Sequence, residues 1–225
     1  MSNAWALPLF LNTQNKALTG WIVALLATVL YLSSNHVHVF EPTSLPMTSL
    51  DQAIPFVPHT IWIYVSEYAA IVFLYAMSRD EVNANRFVYA FTALQLVSLC
   101  IFMLWPTTYP RAQFPLPPDL DAPTRSLLTF LRGIDTPANC CPSLHVASIY
   151  LPVFFFRAEY RRMSPILWAG ATAISLSTLT TKQHYAIDVA GGLVLAVVLY
   201  WFFNRVVRYR SAQARHGAEK EPSAA

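Results

Sequence analysis

A histidine and an aspartate four residues apart stand in the run Thr181-Lys-Gln-His184-Tyr-Ala-Ile-Asp188. At the start of a helix that spacing puts both on one face. A carboxylate that accepts from the imidazole Nδ1 leaves Nε2 free and more basic, which prepares a nucleophilic histidine. The same pair also suits an interfacial polar contact, or two ligands of a metal. A second histidine ends Cys141-Pro-Ser-Leu-His145. Proline is favoured at the first position of a helix, where its missing N–H is not needed, so the run predicts a helix starting at Pro142. Ser143 and its neighbours then offer free backbone N–H groups, a ready anion site. His145, one turn in, can protonate a leaving oxygen. Pro106-Thr-Thr-Tyr-Pro-Arg111 adds an arginine, whose planar fork grips phosphate. Lys182 is a second cation. Together these parts suit a tetrahedral oxyanion.

Something must bring three distant clusters together. The 225-residue chain is 55% apolar and only 12% charged, against about 25% charged in a soluble domain. Its mean hydropathy is +0.40. An aromatic content of 14% excludes disorder. Three cysteines, two of them adjacent, make no disulfide scaffold. Nor do Cys140 and Cys141 with His145 match zinc spacing. A net charge of +3 gives no case for a nucleic-acid partner. The composition predicts an all-α polytopic protein whose surroundings are the lipid bilayer.

Each crossing needs roughly 20 apolar residues. Six charge-poor stretches are candidates: 17–32, 60–77, 87–105, 142–156, 163–180 and 187–204. Glu67 interrupts the second, which implies an acceptor-hydroxyl contact or a buried partner. Eleven of the fifteen Lys and Arg residues flank one side and four the other. By the positive-inside rule both termini are cytoplasmic, and 33–59, 106–141 and 181–186 face outward. All three polar clusters then share one extracytoplasmic face, at a plasma or inner membrane. Residues 1–205 read as one six-helix membrane domain, and 206–225 as a basic polar tail. Segment 40–58 reads as lying on the bilayer surface. Asp119, Asp121 and Asp135 read as loop partners of Arg125 and Arg132.

On these residues the chain resembles the type 2 phosphatidic acid phosphatase superfamily, whose members share a helical core with vanadium haloperoxidases. The second family motif, Pro-Ser-Gly-His, stands here as Pro142-Ser-Leu-His145. The third ends His-x-x-x-Asp, here His184 to Asp188, before the small run Ala190-Gly-Gly192. Of the first motif, a lysine, six residues and Arg-Pro, only Arg111 stands, after Tyr109-Pro110. Leu104 and Thr178 occupy two cation positions, and Leu144 replaces the glycine. That altered pattern is similar to the inositol phosphorylceramide synthase branch, which moves a phospho-headgroup between lipids.

The resemblance covers about residues 40–205 and implies an enzyme. His184 would attack phosphorus and become a phosphohistidine, with Asp188 orienting it. His145 would protonate the leaving alcohol. Arg111, Lys182 and Ser143 would hold the phosphate oxygens, with Lys182 standing in for a missing cation. No metal and no cofactor is implied. The substrate would be a membrane lipid phosphate. Water as acceptor makes a phosphatase; a lipid or polyol hydroxyl makes a transferase. Two other readings stay open. One is a metal-dependent membrane enzyme with His145, His184 and Asp188 as ligands. The other is a non-catalytic lipid-phosphate binder. Nothing in the sequence specifies an oligomeric state.

Overall fold

Long apolar runs with polar caps make this chain helical. In the computed structural model residues 6–211 are described, and most of the expected 206–225 tail lies outside them. The α-helices among them are α1 (Lys16–His36), α2 (Ser49–Ala53), α3 (Ile61–Met77), α4 (Glu81–Leu104), α5 (Ala122–Ile134), α6 (Leu144–Phe156), α7 (Ser164–Thr180) and α8 (Ala186–Trp201). Each of the six charge-poor stretches is a helix. Four helical segments are long and apolar enough to cross a membrane: Lys16–His36, Pro58–Met77, Glu81–Leu104 and Ala186–Val206. With 13 and 17 residues, α6 and α7 are shorter than the roughly 20 residues a crossing needs.

Caps move two starts from their expected places. Asp80 accepts from the N–H groups of Val82 and Asn83, so α4 begins six residues ahead of its apolar stretch. Ser143 caps α6, its hydroxyl accepting from Val146 N–H at 3.3 Å. Pro142 therefore precedes that helix rather than opening it.

Every residue of α6 from His145 to Phe156 is buried, as expected of a helix apolar on all sides. It packs against α3, α4, α7 and α8. At the periphery α1 leaves Leu18, Trp21, Ile22 and Leu25 exposed. Segment 106–141, expected as loop, contains α5. Asp121 caps it by accepting from Thr124 N–H at 3.0 Å, and Leu128 buries against Ile61, Tyr64 and Leu120. Two short parallel pairings tie distant segments. Strand β1 (Leu7–Leu9) pairs with Tyr209–Ser211, and Thr43–Ser44 pairs with Thr107–Thr108.

Two junctions fix the polar end. At the first, α8 meets the start of α6. Ser143 N–H donates to the Asp188 carbonyl at 2.9 Å. A Cβ on Gly192 would lie 2.3 Å from the Ser143 carbonyl oxygen and 3.1 Å from the Val146 Cβ. Only glycine lets the two backbones approach so closely.

At the second junction α2 docks on the α7–α8 turn. Asp51 Oδ1 accepts from Ala186 N–H at 2.7 Å. Its Oδ2 accepts from the Thr48 N–H and hydroxyl at 2.8 and 2.6 Å. Val57 N–H donates to the Thr180 carbonyl at 2.8 Å. Segment 40–58 is thus bonded to the protein, while Leu50 stays exposed. Burial raises the Asp51 pKa, but the Thr48 and Ala186 donors, with Lys182 nearby, outweigh it and hold the carboxyl below its usual value.

Two outcomes follow for stability in detergent. Gly192→Ala should cost about 1–3 kcal/mol, the usual penalty of overpacking, and lower the thermal midpoint; an unchanged midpoint would refute the close approach. The depressed Asp51 pKa gives stability present above the unfolded value and lost as pH falls through the folded one. The midpoint gap between wild type and Asp51→Asn should hold above about pH 5 and close below about pH 4. A gap that widens on acidification would contradict that carboxylate's role.

Candidate active site

A sharp turn carries His184 from α7 to α8. Lys182 sits at φ 56°, a left-handed conformation uncommon outside glycine. The N–H groups of Gln183 and His184 both donate to the Thr178 carbonyl, at 3.0 and 3.3 Å. Tyr185 N–H then donates to Asp188 Oδ2 at 2.8 Å, closing the first turn of α8. His184 Nδ1 lies 3.0 Å from the Cys140 carbonyl and 3.3 Å from Asp188 Oδ2. A carbonyl oxygen can only accept, so Nδ1 carries the hydrogen. Nε2 keeps its lone pair in the neutral ring.

His145 is held differently. Its Nδ1 is bonded to the carboxyl group of Glu67. Its Nε2 lies 2.9 Å from the Tyr64 carbonyl, and the ring stacks on Tyr64 at 3.8 Å between centroids. Glu67 is only 2% exposed. Removing a partner from so buried a charge costs about 3–5 kcal/mol, so a mate is required. Of the two roles expected for Glu67, acceptor contact and buried pairing, the structure displays the pairing. The signal available in the sequence was the charge itself at membrane depth; its partner was not identified.

His145, His184 and Glu67 line one cavity of about 450 Å³. Its polar end also holds Asp135, Asn139 and Gln183. Its other arm is walled by Ala24, Ala27 and Leu32 of α1, Ile71 and Val72 of α3, and Phe91 of α4. A mostly apolar pocket with a few convergent polar groups is the usual shape of a ligand site. Asp188 does not line it; it lies fully buried behind His184.

The expected phosphate ligands are placed otherwise. No lysine or arginine lines this cavity. Arg111 donates to Asp135 Oδ2 at 2.9 Å and to the Asp135 carbonyl. The same carboxylate accepts from Tyr31 and, at 3.1 Å, from Asn35. Arg111 thus reaches the cavity wall only through Asp135. The expected pairing of Asp135 with Arg125 or Arg132 is corrected, because α5 carries Asp135 to Arg111. Arg125 and Arg132 donate instead to the carbonyls of Pro117 and Phe114. Asp121 pairs with His59 at 2.7 Å.

Lys182 is also corrected. Its Nζ donates to the carbonyls of Asp51 at 3.0 Å and Ile54 at 2.5 Å, and it lies over the Phe114 ring. The left-handed turn directs it to α2, away from His184's cavity. Ser143 caps α6, and its N–H is taken by Asp188. The helix start still leaves the N–H groups of Leu144 and His145 without intrahelical acceptors.

The metal reading meets a different trio. Cys140, His184 and Asp188 have ligand atoms within 4.8 Å of one another, while both His145 nitrogens face Glu67 and Tyr64. In that trio His184 and Asp188 are already bonded to each other. Burial, with Asp188 nearby, pushes the Cys141 thiol up to about 12, and burial raises the Cys140 thiol too. Both stay protonated near neutral pH and are poor nucleophiles. The arrangement offers one histidine with a free Nε2 and a second that holds a proton against a carboxylate. That suits nucleophilic attack and proton donation at one centre.

No curated protein matches the chain. The family model of the PAP2 superfamily matches residues 42–202. That match spans well over half of the sequence and takes in Glu67, both cavity histidines and Asp188, so the chain belongs to the PAP2 superfamily.

Proposed function

We propose that the chain is an integral-membrane lipid phosphoesterase or phosphotransferase working through a phosphohistidine on His184. Superfamily membership supports chemistry of the phosphatase and phosphotransferase type. The observation that carries the reading is the His184 ring. Its Nδ1–H is held by the Cys140 carbonyl and Asp188, which frees Nε2 on a ring that lines the cavity. In the proposed reaction Nε2 attacks phosphorus as the bond to the leaving oxygen breaks. Asp188 stabilises the positive ring that forms, and His145 gives the leaving oxygen a proton. Free N–H groups at the start of α6 meet an equatorial oxygen. Arg111 joins them by exchanging Asp135 for phosphate. Water or a hydroxyl then attacks the phosphohistidine and regenerates His184. No metal or cofactor enters these steps.

The substrate class is a membrane lipid phosphate, with its chain along the apolar arm between α1 and α3. Leu144, Thr178 and Leu104 favour headgroup transfer of the inositolphosphotransferase type, with hydrolysis to water as the alternative. In this proposal α6 and α7 complete six crossings, both termini are cytoplasmic, and the cavity opens at the outer face of a plasma or inner membrane.

The test uses purified protein in detergent micelles with phosphatidic acid, or with phosphatidylinositol plus ceramide, read by mass spectrometry. Wild type should release phosphate or form a new headgroup-bearing lipid, and His184→Ala should lose at least about 1000-fold. Chelator should leave the rate unchanged; a chelator-sensitive rate would favour the metal reading. Equal product from wild type and variant would overturn the phosphohistidine.

A further inference from the structure

The scheme above uses His145 and leaves Glu67 without a task. Both line the cavity with His184. The Tyr64 carbonyl can only accept, so the 2.9 Å contact with Nε2 puts a hydrogen on Nε2 in every charge state of the ring. The other ring nitrogen faces a carboxylate oxygen. Two lone pairs do not meet at hydrogen-bond distance, so one further proton lies on that contact. The pair is either imidazolium with carboxylate or neutral imidazole with carboxylic acid. The two forms differ only in where that proton sits.

The groups facing the pair from neighbouring elements are Tyr64 and Tyr68 of α3, Tyr31 of α1, Asp135 at the end of α5, and His184 on the α7–α8 turn. No lysine or arginine is among the cavity lining, and His145 is the group bonded to Glu67. Stacking on Tyr64 and the edge contact of Tyr68, at 5.9 Å between centroids, hold the ring in the plane that keeps both bonds.

We propose that Glu67 is the positioning residue of His145, and that the proton held between Glu67 and Nδ1 is the one delivered to the leaving oxygen. This rests on the phosphohistidine reading. As the phosphorus–oxygen bond breaks, its electron pair goes to the leaving oxygen, which takes that proton. The pair is left as carboxylate and neutral imidazole with Nε2–H. When water or a hydroxyl attacks the phosphohistidine, the proton it sheds returns to the pair.

Glu67→Gln separates this from a purely structural bond. The amide matches the carboxylate in size and can donate to Nδ1, so the ring stays in place without a transferable proton. On an alkyl lipid phosphate kcat should fall about 100-fold or more, the usual weight of general acid catalysis, with KM little changed. On a p-nitrophenyl phosphate ester, whose leaving group needs no proton, the burst of p-nitrophenol should stay within a few-fold of wild type. Equal losses on both substrates would overturn the delivery of the proton. A second measurement needs no turnover: 15N-histidine spectra of substrate-free protein in lipid nanodiscs. The His145 Nδ1 resonance should be that of a shared proton in wild type and of a bare imine nitrogen in Glu67→Gln. Identical Nδ1 resonances would overturn the proton-sharing pair, whatever the protein acts on. That spectral difference together with a wild type inert to both substrates would sink the phosphoryl-transfer reading and leave the shared proton standing.

Discussion

A carboxylate with no solvent exposure depends on its donors; Asp188 is such a group, with donors on Oδ2 while its buried Oδ1 has none. Its Oδ2 accepts from the Tyr185 N–H and faces the His184 ring. Its backbone carbonyl accepts from the Ser143 N–H. One residue therefore shapes the first turn of α8, joins the Cys140 carbonyl in holding His184 Nδ1 and seats the start of α6. Gly192 permits this, because any Cβ there would collide with the Ser143 carbonyl oxygen. His145 inherits its place from the same joint, being two residues beyond Ser143. The two histidines come from separate segments, which the Ser143–Asp188 backbone bond and the His184–Cys140 contact join directly.

The electrostatics of the cavity depart from those of an open phosphate site. Arg111 is neutralised by Asp135, and Lys182 is bonded to carbonyls of α2 and the residue after it. An unpaired cation facing a cavity beside apolar helix walls would be costly to desolvate. Engaging both Arg111 and Lys182 within the protein avoids that cost but leaves an arriving anion with fewer immediate partners. What remains is the N-terminus of α6, whose N–H groups and dipole favour negative charge without a net charge of their own. Arg111 keeps a planar fork, its two nitrogens now on the backbone carbonyl and one carboxylate oxygen of Asp135.

The helices and the spacing of His184 and Asp188 were legible because they depend on local pattern. So was the convergence of the two histidine motifs, which follows from helices that alternate in direction. Contacts between remote segments were not. Glu67 announces a need for a partner, but nothing near it in sequence names His145. Lys182 lies two residues from His184 in sequence, but its left-handed backbone turns it elsewhere. In α5, Leu128 and Leu131 carry a helical spacing that a search for charge-free stretches passes over. Absence of charge marks apolar runs rather than helix length: 142–156 is charge-free from its proline, although Ser143 caps the helix and only 13 residues follow.

The shortness of α6 has a geometric consequence. At 1.5 Å per residue, 13 residues extend about 20 Å, roughly 10 Å less than a bilayer core. Glu67 lies six residues into α3, about 9 Å along its axis. Contact with His145, the second residue of α6, sets the start of α6 level with the seventh residue of α3 rather than with its first. Asn139 and Gln183, polar side chains of the segments that connect the helices, line the cavity beside both histidines.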